Sequence, residues 1–308
     1  MVFSYNYYSK KSQNLNNNKL NKKQNALHTA KNGENMKTLY ITDLDGTLLD
    51  STPNTSEYTN KVLNELLKKD MVISVATARS LTSARLVTKG LELKHPVVVH
   101  NGTFIVDPKN GEILHKNVFS QKQAHSILDD LLSNGLCPVV FSLLNGEQKF
   151  SYIRETANNA TIDFLDEREN DIRNRRCYDK KELYDGEIYY FTLVGDDGNL
   201  LSLYDKYKDT YHCIYHIDMY SNEYWLEIMP KDATKSTSVL KLKEMLGCDK
   251  IVCFGDGTND IDMFDIADEC YAVENAVQEL KDKATQIIDS NCNDGVAKWL
   301  FLRYNNGV

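Results

Sequence analysis

The sequence predicts an α/β protein in which a parallel sheet carries an inserted α+β module. Short apolar strands alternate with amphipathic helices over residues 36–118 and again over 223–308, which is typical of a parallel sheet covered on both faces. Residues 119–222 have a different residue pattern, in which strands rich in aromatic and β-branched residues stand among helical patterns. With 308 residues, 42% of them hydrophobic and 26% charged, the chain is long enough for two domains.

The elements of the core follow from apolar runs and their spacing. Thr38–Thr42 is a short apolar run typical of a strand. A helix is predicted over residues 56–69, because Tyr58, Val62 and Leu66 recur at helical spacing. The other predicted core elements are a strand at 71–76, a helix at Leu81–Lys89, a strand at 96–100, a helix at 239–246, a strand at 250–254, and short strands near Cys270 and Ile287.

The inserted module mixes helical and strand patterns. Its predicted helices are Gln123–Leu132, Ala157–Arg168 and Leu200–Tyr207, and its predicted strands are Pro138–Leu143, Glu187–Val194 and Tyr211–Met219. Because this unit stands between two halves of a parallel sheet, we predict that it folds as an independent α+β module.

The first 35 residues are predicted to be a disordered extension. They are rich in asparagine and lysine and lack apolar periodicity. The stretch Lys31–Asn35 is compatible with codons that contain a purine-rich ribosome-binding sequence just before Met36. We therefore hypothesise that native translation starts at Met36, and mass spectrometry of the native protein would reveal an intact Met1 start if it does not.

Charge and hydropathy exclude several classes of protein. The formal net charge is −8, and the six lysines and one glutamate of residues 1–35 leave −13 on the remainder. Such an acidic body is not expected to bind a nucleic acid backbone nonspecifically. Apolar stretches reach about five to seven residues, against the roughly twenty that span a bilayer, so no membrane segment is predicted.

The seven cysteines are predicted to be reduced thiols of a cytoplasmic protein. Their number is odd and they form no C-x-x-C pair, which argues against a disulfide framework or a zinc site. A strand-like stretch puts Cys213 and His216 on opposite faces, so the run that begins at His212 is interpreted as structural. The N-terminus also lacks an apolar signal-peptide region.

Chemically active side chains are expected where strands end, because ligands of open α/β sheets bind beyond the carboxyl ends of the strands. Aspartate is depleted in strands and costly to bury, so two aspartates directly after an apolar strand need a partner or a metal ion. Four places carry such chemistry: D-L-D-G-T at 43–47, T-A-R-S at 77–80, Lys235 at the start of the helix that follows the strand-like E-I-M-P, and G-D-G-T-N-D at 255–260.

These motifs, in this order, resemble the four motifs of the haloacid dehalogenase superfamily. The resemblance rests on D-L-D-G-T-L-L, the strand-terminal Thr77, Lys235 and G-D-G-T-N-D, with H-N-G-T after the third strand and W-L-E-I-M-P-K-D-A-T-K around the lysine. The insertion between the second and third motifs is similar to that of the Cof-type hydrolases, which have a type IIB cap. The match covers about Thr38 to Trp299 and implies a Rossmann-like core with a cap at 119–222.

The resemblance implies a Mg²⁺ site. The ion would be held by the Asp43 side chain, the Asp45 backbone carbonyl and the Asp256 carboxylate. Oxygen ligands without histidine or cysteine favour Mg²⁺. A divalent cation is also needed because several carboxylates in one pocket would otherwise repel a phosphomonoester dianion.

The resemblance also implies the catalytic roles of the first two aspartates. Asp43 would attack phosphorus to give an aspartyl phosphate, while Asp45 would protonate the leaving oxygen and later deprotonate the attacking water. A carboxylate two residues further along an extended backbone points to the same side, which is consistent with this pairing. Both aspartates could instead cap the following turn.

The remaining motif residues are expected around the phosphoryl group. Asp260 would brace Lys235 or the surroundings of the metal, although Asp260 and Asn259 could also cap a helix. Arg79 either reaches the substrate or pairs with a surface carboxylate. Five groups would contact the phosphoryl oxygens: the Leu44 and Ala78 backbone amides, the Thr77 hydroxyl, Lys235 and Asn259.

The cap is expected to exclude water and to select the leaving group. Arg154, Glu155, Tyr189 and Tyr190 are considered for its lining, but one sequence does not distinguish them from ordinary packing. Asn101-Gly102 is interpreted as a turn at the edge of the core.

The sequence thus predicts a cytoplasmic, Mg²⁺-dependent phosphatase of small phosphorylated metabolites such as sugar phosphates. No nucleic acid, membrane or obligate protein partner is predicted. Two alternatives stay open. A phosphomutase or phosphotransferase would pass the phosphoryl group to a sugar hydroxyl, and a non-enzymatic, ligand-sensing protein could use the same fold.

Overall fold

The computed structural model describes residues 36–195, 197–217 and 223–306. The extension predicted at residues 1–35 lies outside the described residues, as do the last positions of the strand predicted at Tyr211–Met219. The strands are β1 (Thr38–Thr42), β2 (Val72–Val75), β3 (Val97–Val99), β4 (Phe104–Val106), β5 (Ile113–Lys116), β6 (Val139–Leu144), β7 (Glu147–Tyr152), β8 (Asn174–Arg176), β9 (Glu187–Gly195), β10 (His212–Ile217), β11 (Tyr224–Met229), β12 (Lys250–Gly255), β13 (Glu269–Val273) and β14 (Gln286–Ile288). The α-helices are α1 (Glu57–Lys68), α2 (Leu81–Val87), α3 (Gln121–Ser133), α4 (Asn159–Asp166), α5 (Asp197–Tyr207), α6 (Lys235–Leu246), α7 (Ile261–Asp265), α8 (Gln278–Lys283) and α9 (Gly295–Asn305).

The central sheet is fully parallel and has the strand order β14-β13-β12-β1-β2. Strands β1, β2 and β12 are almost entirely buried, as expected for a sheet with helices on both faces. An isolated parallel bridge between Ala76 and Val98 joins the end of β2 to β3. This arrangement brings the carboxyl ends of β1, β2 and β12 to the same edge of the sheet.

Capping side chains fix where the core helices begin. The hydroxyls of Ser56, Ser80 and Thr234 accept hydrogen bonds from the third backbone amide of α1, α2 and α6 in turn. Val62, Leu63, Leu66 and Leu67 of α1 are buried, so the predicted apolar spacing matches the face that packs on the sheet.

The inserted segment forms a second, mostly antiparallel sheet, which we call the cap sheet, with the order β10-β11-β9-β6-β7-β8. Only the β7–β8 pair is parallel among these described strands. Helices α3 and α5 pack on one face of the cap sheet and build an apolar core of its own. The opposite face lies toward the parallel sheet, and Leu143 and Tyr189 join the core of that sheet.

These observations confirm the predicted fold class, a parallel α/β core with an inserted α+β module. The cap sheet nevertheless continues to β11, which pairs with both β9 and β10. The inserted unit therefore reaches Met229 and does not stop at residue 222, because the strand before Lys235 is bonded to the cap sheet and not to the core sheet.

Four strands escaped prediction. Strands β4 and β5 follow β3 as a small antiparallel sheet, and β7 and β8 lie beside β6 in the cap sheet. The sequences of β7 (E-Q-K-F-S-Y) and β8 (N-R-R) are too polar to give a strand pattern, and β8 lies at the edge of its sheet. None of the helices in the described residues is long and apolar enough to cross a bilayer.

Gly102 determines how closely the third strand can approach the helix that begins at Lys235. His100–Gly102 forms a 3-10 turn, as expected for an Asn-Gly pair, and Gly102 has φ +97°. Its carbonyl accepts hydrogen bonds from Ser238 Oγ at 2.6 Å and Asn117 Nδ2 at 2.9 Å. A Cβ at Gly102 would lie 1.9 Å from the Thr234 carbonyl oxygen, so no other residue fits without a shift of backbone.

We expect Gly102→Ala to lower the free energy of unfolding by about 2–5 kcal/mol, from backbone strain and the forced separation of the turn from α6. Gly135→Ala is the matched control, since Gly135 has φ +74° but no atom within 4 Å of an added Cβ. It should lose about 1–2 kcal/mol from strain alone. Urea denaturation followed by circular dichroism measures both, and equal losses would show that the close approach at Gly102 is not a constraint.

Candidate active site

Two of the predicted aspartates lie at neighbouring strand ends. Asp43 directly follows β1, and Asp256 directly follows β12, its parallel neighbour. The backbone N–H of Asp43 donates to the Phe254 carbonyl at 3.1 Å, which extends the ladder by one residue. The two side chains therefore leave the same edge of the sheet from adjacent strands.

Lys235 is the cation of this site. It is the first residue of α6 and only 2% exposed. Its Nζ lies 2.9 Å from Asp43 Oδ1 and 2.7 Å from Asp260 Oδ1. Burial by itself would lower the pKa of Lys235, but these two carboxylates outweigh burial and raise it, so the side chain is a fixed ammonium ion.

Asp260 ties the lysine to the turn after β12. Its Oδ1 accepts from Lys235, while its Oδ2 accepts the backbone N–H groups of Asp256 and Gly257 at 3.0 and 3.1 Å. Asp260 is completely buried, and the hydrogen bonds to its carboxylate come from the Lys235 ammonium and from two backbone N–H groups. It holds Lys235 and the Asp256 backbone in one rigid arrangement.

Three carboxylates converge at this point. One oxygen from each of Asp43, Asp256 and Asp260 lies within 4.8 Å of the others. Burial raises the pKa of Asp43 to about 7, although Lys235 opposes that shift, and burial raises the pKa of Asp256 to about 6. One lysine is thus too little positive charge for the three carboxylates around it.

Asp256 is held in place by the loop that carries the first motif. Thr47 Oγ1 donates to Asp256 Oδ1 at 2.8 Å. Gly46 adopts φ +73°, and a Cβ there would lie 2.2 Å from Asp256 Oδ2. Asn275 Nδ2 donates to the Gly46 carbonyl at 2.7 Å and fixes the loop from the other side. The glycine of D-L-D-G-T therefore makes room for the carboxylate of the last motif.

The Asp45 carboxylate lies apart from this cluster. It forms a bidentate ion pair with Arg79, with Nε–Oδ2 at 2.7 Å and Nη2–Oδ1 at 2.6 Å. Arg79 also donates to Ser83 Oγ at 2.9 Å. The Asp45 side chain is 49% exposed, in contrast to the buried Asp43. Of the two possibilities for Arg79, pairing with a carboxylate is the one observed, and the partner is the predicted acid–base residue.

The other predicted phosphoryl-binding groups surround this edge to different degrees. Thr77 is fully buried, and its Oγ1 accepts the Arg79 backbone N–H at 3.1 Å. Leu44 is buried and its backbone N–H donates to the Asp43 carboxylate. Ala78 and Asn259 are exposed, and Asn259 shares a cavity with Lys235. Their roles toward a phosphoryl group stay predictions.

In the described part of the chain, two cavities near these motif residues lie between the core and the cap sheet. The first, of about 510 Å³, is lined by Lys235 and Asn259 and by His212 and Tyr215 of the cap sheet. We call it the lysine-side cavity. The second, of about 280 Å³, is lined by Arg79 from the core and by Phe141, Tyr190, Trp225 and Glu227 from the cap sheet. We call it the arginine-side cavity.

The carboxylate cluster fits a hard divalent cation. Its donors are oxygens only, with no histidine or cysteine in the group. Burial raises the pKa of Asp43 and Asp256 because it makes their ionised forms costly. A divalent cation between the two carboxylates would offset that cost. Asp43 and Asp256 are thus suited to hold Mg²⁺, and Asp260, which is engaged by Lys235 and two backbone amides, is suited to orient them.

Comparison with known proteins agrees with a capped α/β hydrolase. The haloacid dehalogenase-like hydrolase family matches residues 40–300, so the chain belongs to this family. The 5-amino-6-(5-phospho-D-ribitylamino)uracil phosphatase YwtE of Bacillus subtilis is 26% identical over 277 residues, which cover 84% of this chain and 95% of that protein. The resemblance inferred from the motifs and the expectation of a phosphatase are therefore confirmed.

Solved structures share the fold. A protein from Thermotoga maritima has a TM-score of 0.70 and 22% identity, over 87% of this chain and 97% of that one. A haloacid dehalogenase-like hydrolase from Bacteroides thetaiotaomicron has a TM-score of 0.68 and 21% identity, over 88% of this chain and all of that one, 100%. The inserted module is thus present in chains of similar length.

Sequence reasoning missed several residues that shape the site. Thr47 belongs to the first motif, but its contact with Asp256 depends on the pairing of β1 with β12. Asn275 lies in a separate loop without any motif signal. Glu227 stands inside the stretch before Lys235, where its neighbours suggested only a strand.

We expect Lys235→Met to lower the free energy of unfolding by about 3–5 kcal/mol, because Asp43 and Asp260 would stay buried without the ammonium ion that pairs with both. Lys241→Met is the control on the same helix, where an exposed lysine pairs with Glu244. It should change stability by less than about 0.5 kcal/mol. Denaturant unfolding in a chelator measures the difference, and two equally stable variants would contradict the assigned role of Lys235.

Proposed function

We propose that this protein is a Mg²⁺-dependent phosphatase of small phosphorylated metabolites that works through an aspartyl phosphate on Asp43. The observation that carries the proposal is the position of Asp43, a buried carboxylate within 2.9 Å of Lys235 and beside two further carboxylates. A buried carboxylate is costly in free energy, and its position next to a cation site suits a nucleophile. Membership of the hydrolase family supports the same reaction class.

In the first step, an Asp43 carboxylate oxygen attacks phosphorus, and the bond from phosphorus to the ester oxygen breaks. Asp45 donates its proton to the departing oxygen, so the leaving group departs as an alcohol. In the second step, Asp45 takes a proton from water, which attacks the aspartyl phosphate and releases inorganic phosphate. Asp43 is restored as a carboxylate, and the two steps amount to hydrolysis.

Arg79 has a defined part in this scheme. Its two hydrogen bonds occupy both oxygens of the Asp45 carboxylate, and Asp45 must free an oxygen to reach the departing group. Substrate binding therefore has to loosen the ion pair, and the partial exposure of both side chains leaves room for that movement. Arg79 then stays beside the reacting group as a second positive charge.

The remaining residues stabilise charge on the phosphoryl oxygens. Lys235 offers a fixed ammonium, and Thr77 and the backbone amides of the two loops offer neutral donors. The metal, held by the Asp43 and Asp256 carboxylates and the Asp45 carbonyl, would neutralise the substrate dianion and the carboxylates together. Water is kept from Asp43 by burial, which leaves it 5% exposed.

The substrate class and the location are proposed from a relative and from the cysteines. The relative YwtE is named as a phosphatase of a phosphorylated ribitylaminouracil, and sugar phosphates share its polyol phosphate ester. We therefore propose metabolites of that chemical type. All seven cysteines, each within the described residues, are free thiols, which supports a cytoplasmic enzyme.

Asp43→Asn is expected to abolish phosphate release, with a loss of at least about a thousandfold in kcat, because the amide is not a nucleophile. A screen of phosphomonoesters with Mg²⁺ identifies the substrate first, and the variant is then compared on it. Asp265→Asn, in an exposed pair with Lys283, is the control and should keep wild-type rates. Turnover by Asp43→Asn would contradict the assignment of Asp43 as the nucleophile. Isomerisation of a sugar phosphate without phosphate release would favour a mutase.

Millimolar Mg²⁺ is expected to raise the melting temperature of the chelator-treated wild type, because the ion relieves repulsion between buried carboxylates. Asp256→Asn should remove most of that increase, while Asp268→Asn, at the other end of β12, should keep it. Differential scanning fluorimetry measures the shift without turnover. A wild type that does not respond to Mg²⁺, Mn²⁺ or Ca²⁺ would contradict the metal site.

A further inference from the structure

The arginine-side cavity borders Arg79, the partner of the acid that the proposed reaction uses. Arg79 lines this cavity and holds the Asp45 carboxylate at 2.6 and 2.7 Å. A leaving group must lie beside the acid that protonates it, within hydrogen-bonding reach. The lysine-side cavity instead borders Lys235 and Asn259, which the proposed reaction assigns to the phosphoryl group. The arginine-side cavity is therefore the place for the leaving group.

Strand register defines which cap residues face this cavity. On β11, Trp225 and Glu227 alternate with Leu226 and Ile228, which belong to the core under α3 and α5. Glu227 is paired with Thr192 of β9. Side chains directly opposite in an antiparallel pair share a face, so these residues present one surface toward the parallel core. That surface is mostly aromatic, with Phe141, Tyr190 and Trp225.

Glu227 is the unusual residue of this surface. Its carboxylate accepts a hydrogen bond from the Tyr190 hydroxyl and lies within electrostatic reach of His216. No arginine or lysine of the described residues forms an ion pair with it. It is surrounded by protein yet still reachable from the cavity, since its exposed fraction is intermediate. A carboxylate with one neutral donor has unused acceptor capacity.

The cations around the cavity do not neutralise Glu227. Each arginine of the lining is already paired with a different carboxylate: Arg79 with Asp45, Arg168 with Glu167, and Arg173 with Asp171. His100 also lines the cavity, but burial lowers its pKa to about 4, so it is a neutral ring. Glu227 is thus an acceptor of this surface with no cation paired to it, and a donor on a ligand could use its remaining capacity. Beside it, Trp225 Nε1 is a buried donor without a hydrogen-bond partner.

We propose that Glu227, oriented by Tyr190, selects the substrate by accepting a hydrogen bond from a hydroxyl or N–H group of the leaving group. This inference rests on the proposed phosphatase function. The aromatic side chains would pack against the flat or apolar side of the same group. The volume of about 280 Å³ suits a single ring with its substituents, such as a monosaccharide or a one-ring heterocycle.

The test compares substrates with and without such a donor. Wild type and Glu227→Ala are assayed with Mg²⁺ on three kinds of substrate. Hexose 6-phosphates carry hydroxyl donors, and phosphorylated one-ring heterocycles carry an N–H or O–H donor. The leaving group of p-nitrophenyl phosphate has no other donor. We expect kcat/KM to fall about 10- to 100-fold for the donor-bearing substrate that wild type prefers. For p-nitrophenyl phosphate the change should be less than about threefold. The preferred substrate shows whether Glu227 recognises a hydroxyl or an N–H donor.

Two further variants separate recognition from folding. Tyr190→Phe keeps the ring but removes the hydroxyl that orients Glu227, so it should show the same selective pattern with a loss of about 3- to 10-fold. Glu147→Ala is the control, an exposed glutamate of β7 in the same sheet, paired with Lys149, and should match wild type on every substrate. Thermal unfolding of all variants reports on their stability.

The outcomes are distinct. Selective loss in Glu227→Ala and Tyr190→Phe supports the inference. Equal loss on all substrates assigns the Tyr190–Glu227 pair to structure alone, and unchanged selectivity places the leaving group in the other cavity; either result overturns the inference while the phosphatase stands. A wild type that hydrolyses none of these esters overturns the proposed function and this inference together.

Discussion

The buried ion pair of Lys235 with Asp43 and Asp260 is the interaction on which the site depends. It joins three parts of the chain that are distant in sequence: the end of β1, the start of α6 and the turn after β12. A buried charge is tolerated only when its partners hold it in good geometry, and each partner here is itself fixed by backbone contacts. A cation at a helix N-terminus is unfavourable for the helix dipole, so the two carboxylates must also offset that effect. The arrangement therefore exists for the site and not for the stability of α6.

The same arrangement leaves a surplus of negative charge. Two carboxylates are paired with Lys235, and Asp256 adds a third whose contact with protein is the neutral hydroxyl of Thr47. A folded protein that keeps such a surplus is under repulsive strain until a cation binds. In the proposed mechanism, substrate dianion and metal would stabilise each other's binding, because each would offset the charge of the other. The proposed nucleophile Asp43 is buried, whereas Asp45, the proposed acid, is half exposed.

Much of the core could be predicted because parallel strands impose simple geometry. Asp43 and Asp256 follow apolar strands, and the ends of neighbouring parallel strands meet at one edge, so the motif order already implied their convergence. Lys235 was identifiable from its unfavourable place at a helix start. The Arg79 ion pair was left open, since a loop arginine has many possible partners, and the end of the cap was placed too early because β11 reads as a core strand. Glu227 could not be predicted, because its environment depends on antiparallel register and on which face of the cap sheet meets the core.

The parallel sheet carries the proposed reactive groups, the cap sheet carries the proposed substrate-selecting surface, and Arg79 lines a cavity between them. The parallel sheet supplies reactive groups from loops at its carboxyl edge, and their positions are fixed by backbone ladders that tolerate little change. The cap sheet supplies a surface of side chains, and substitutions there alter what is recognised without moving a strand end. Arg79 belongs to the core by its backbone, holds Asp45 with its guanidinium and forms part of the wall of the arginine-side cavity. In the proposed mechanism, a leaving group that enters this cavity would have to displace or repack Arg79. Occupation of the cap surface would thereby be coupled to release of Asp45, so that proton transfer follows correct binding.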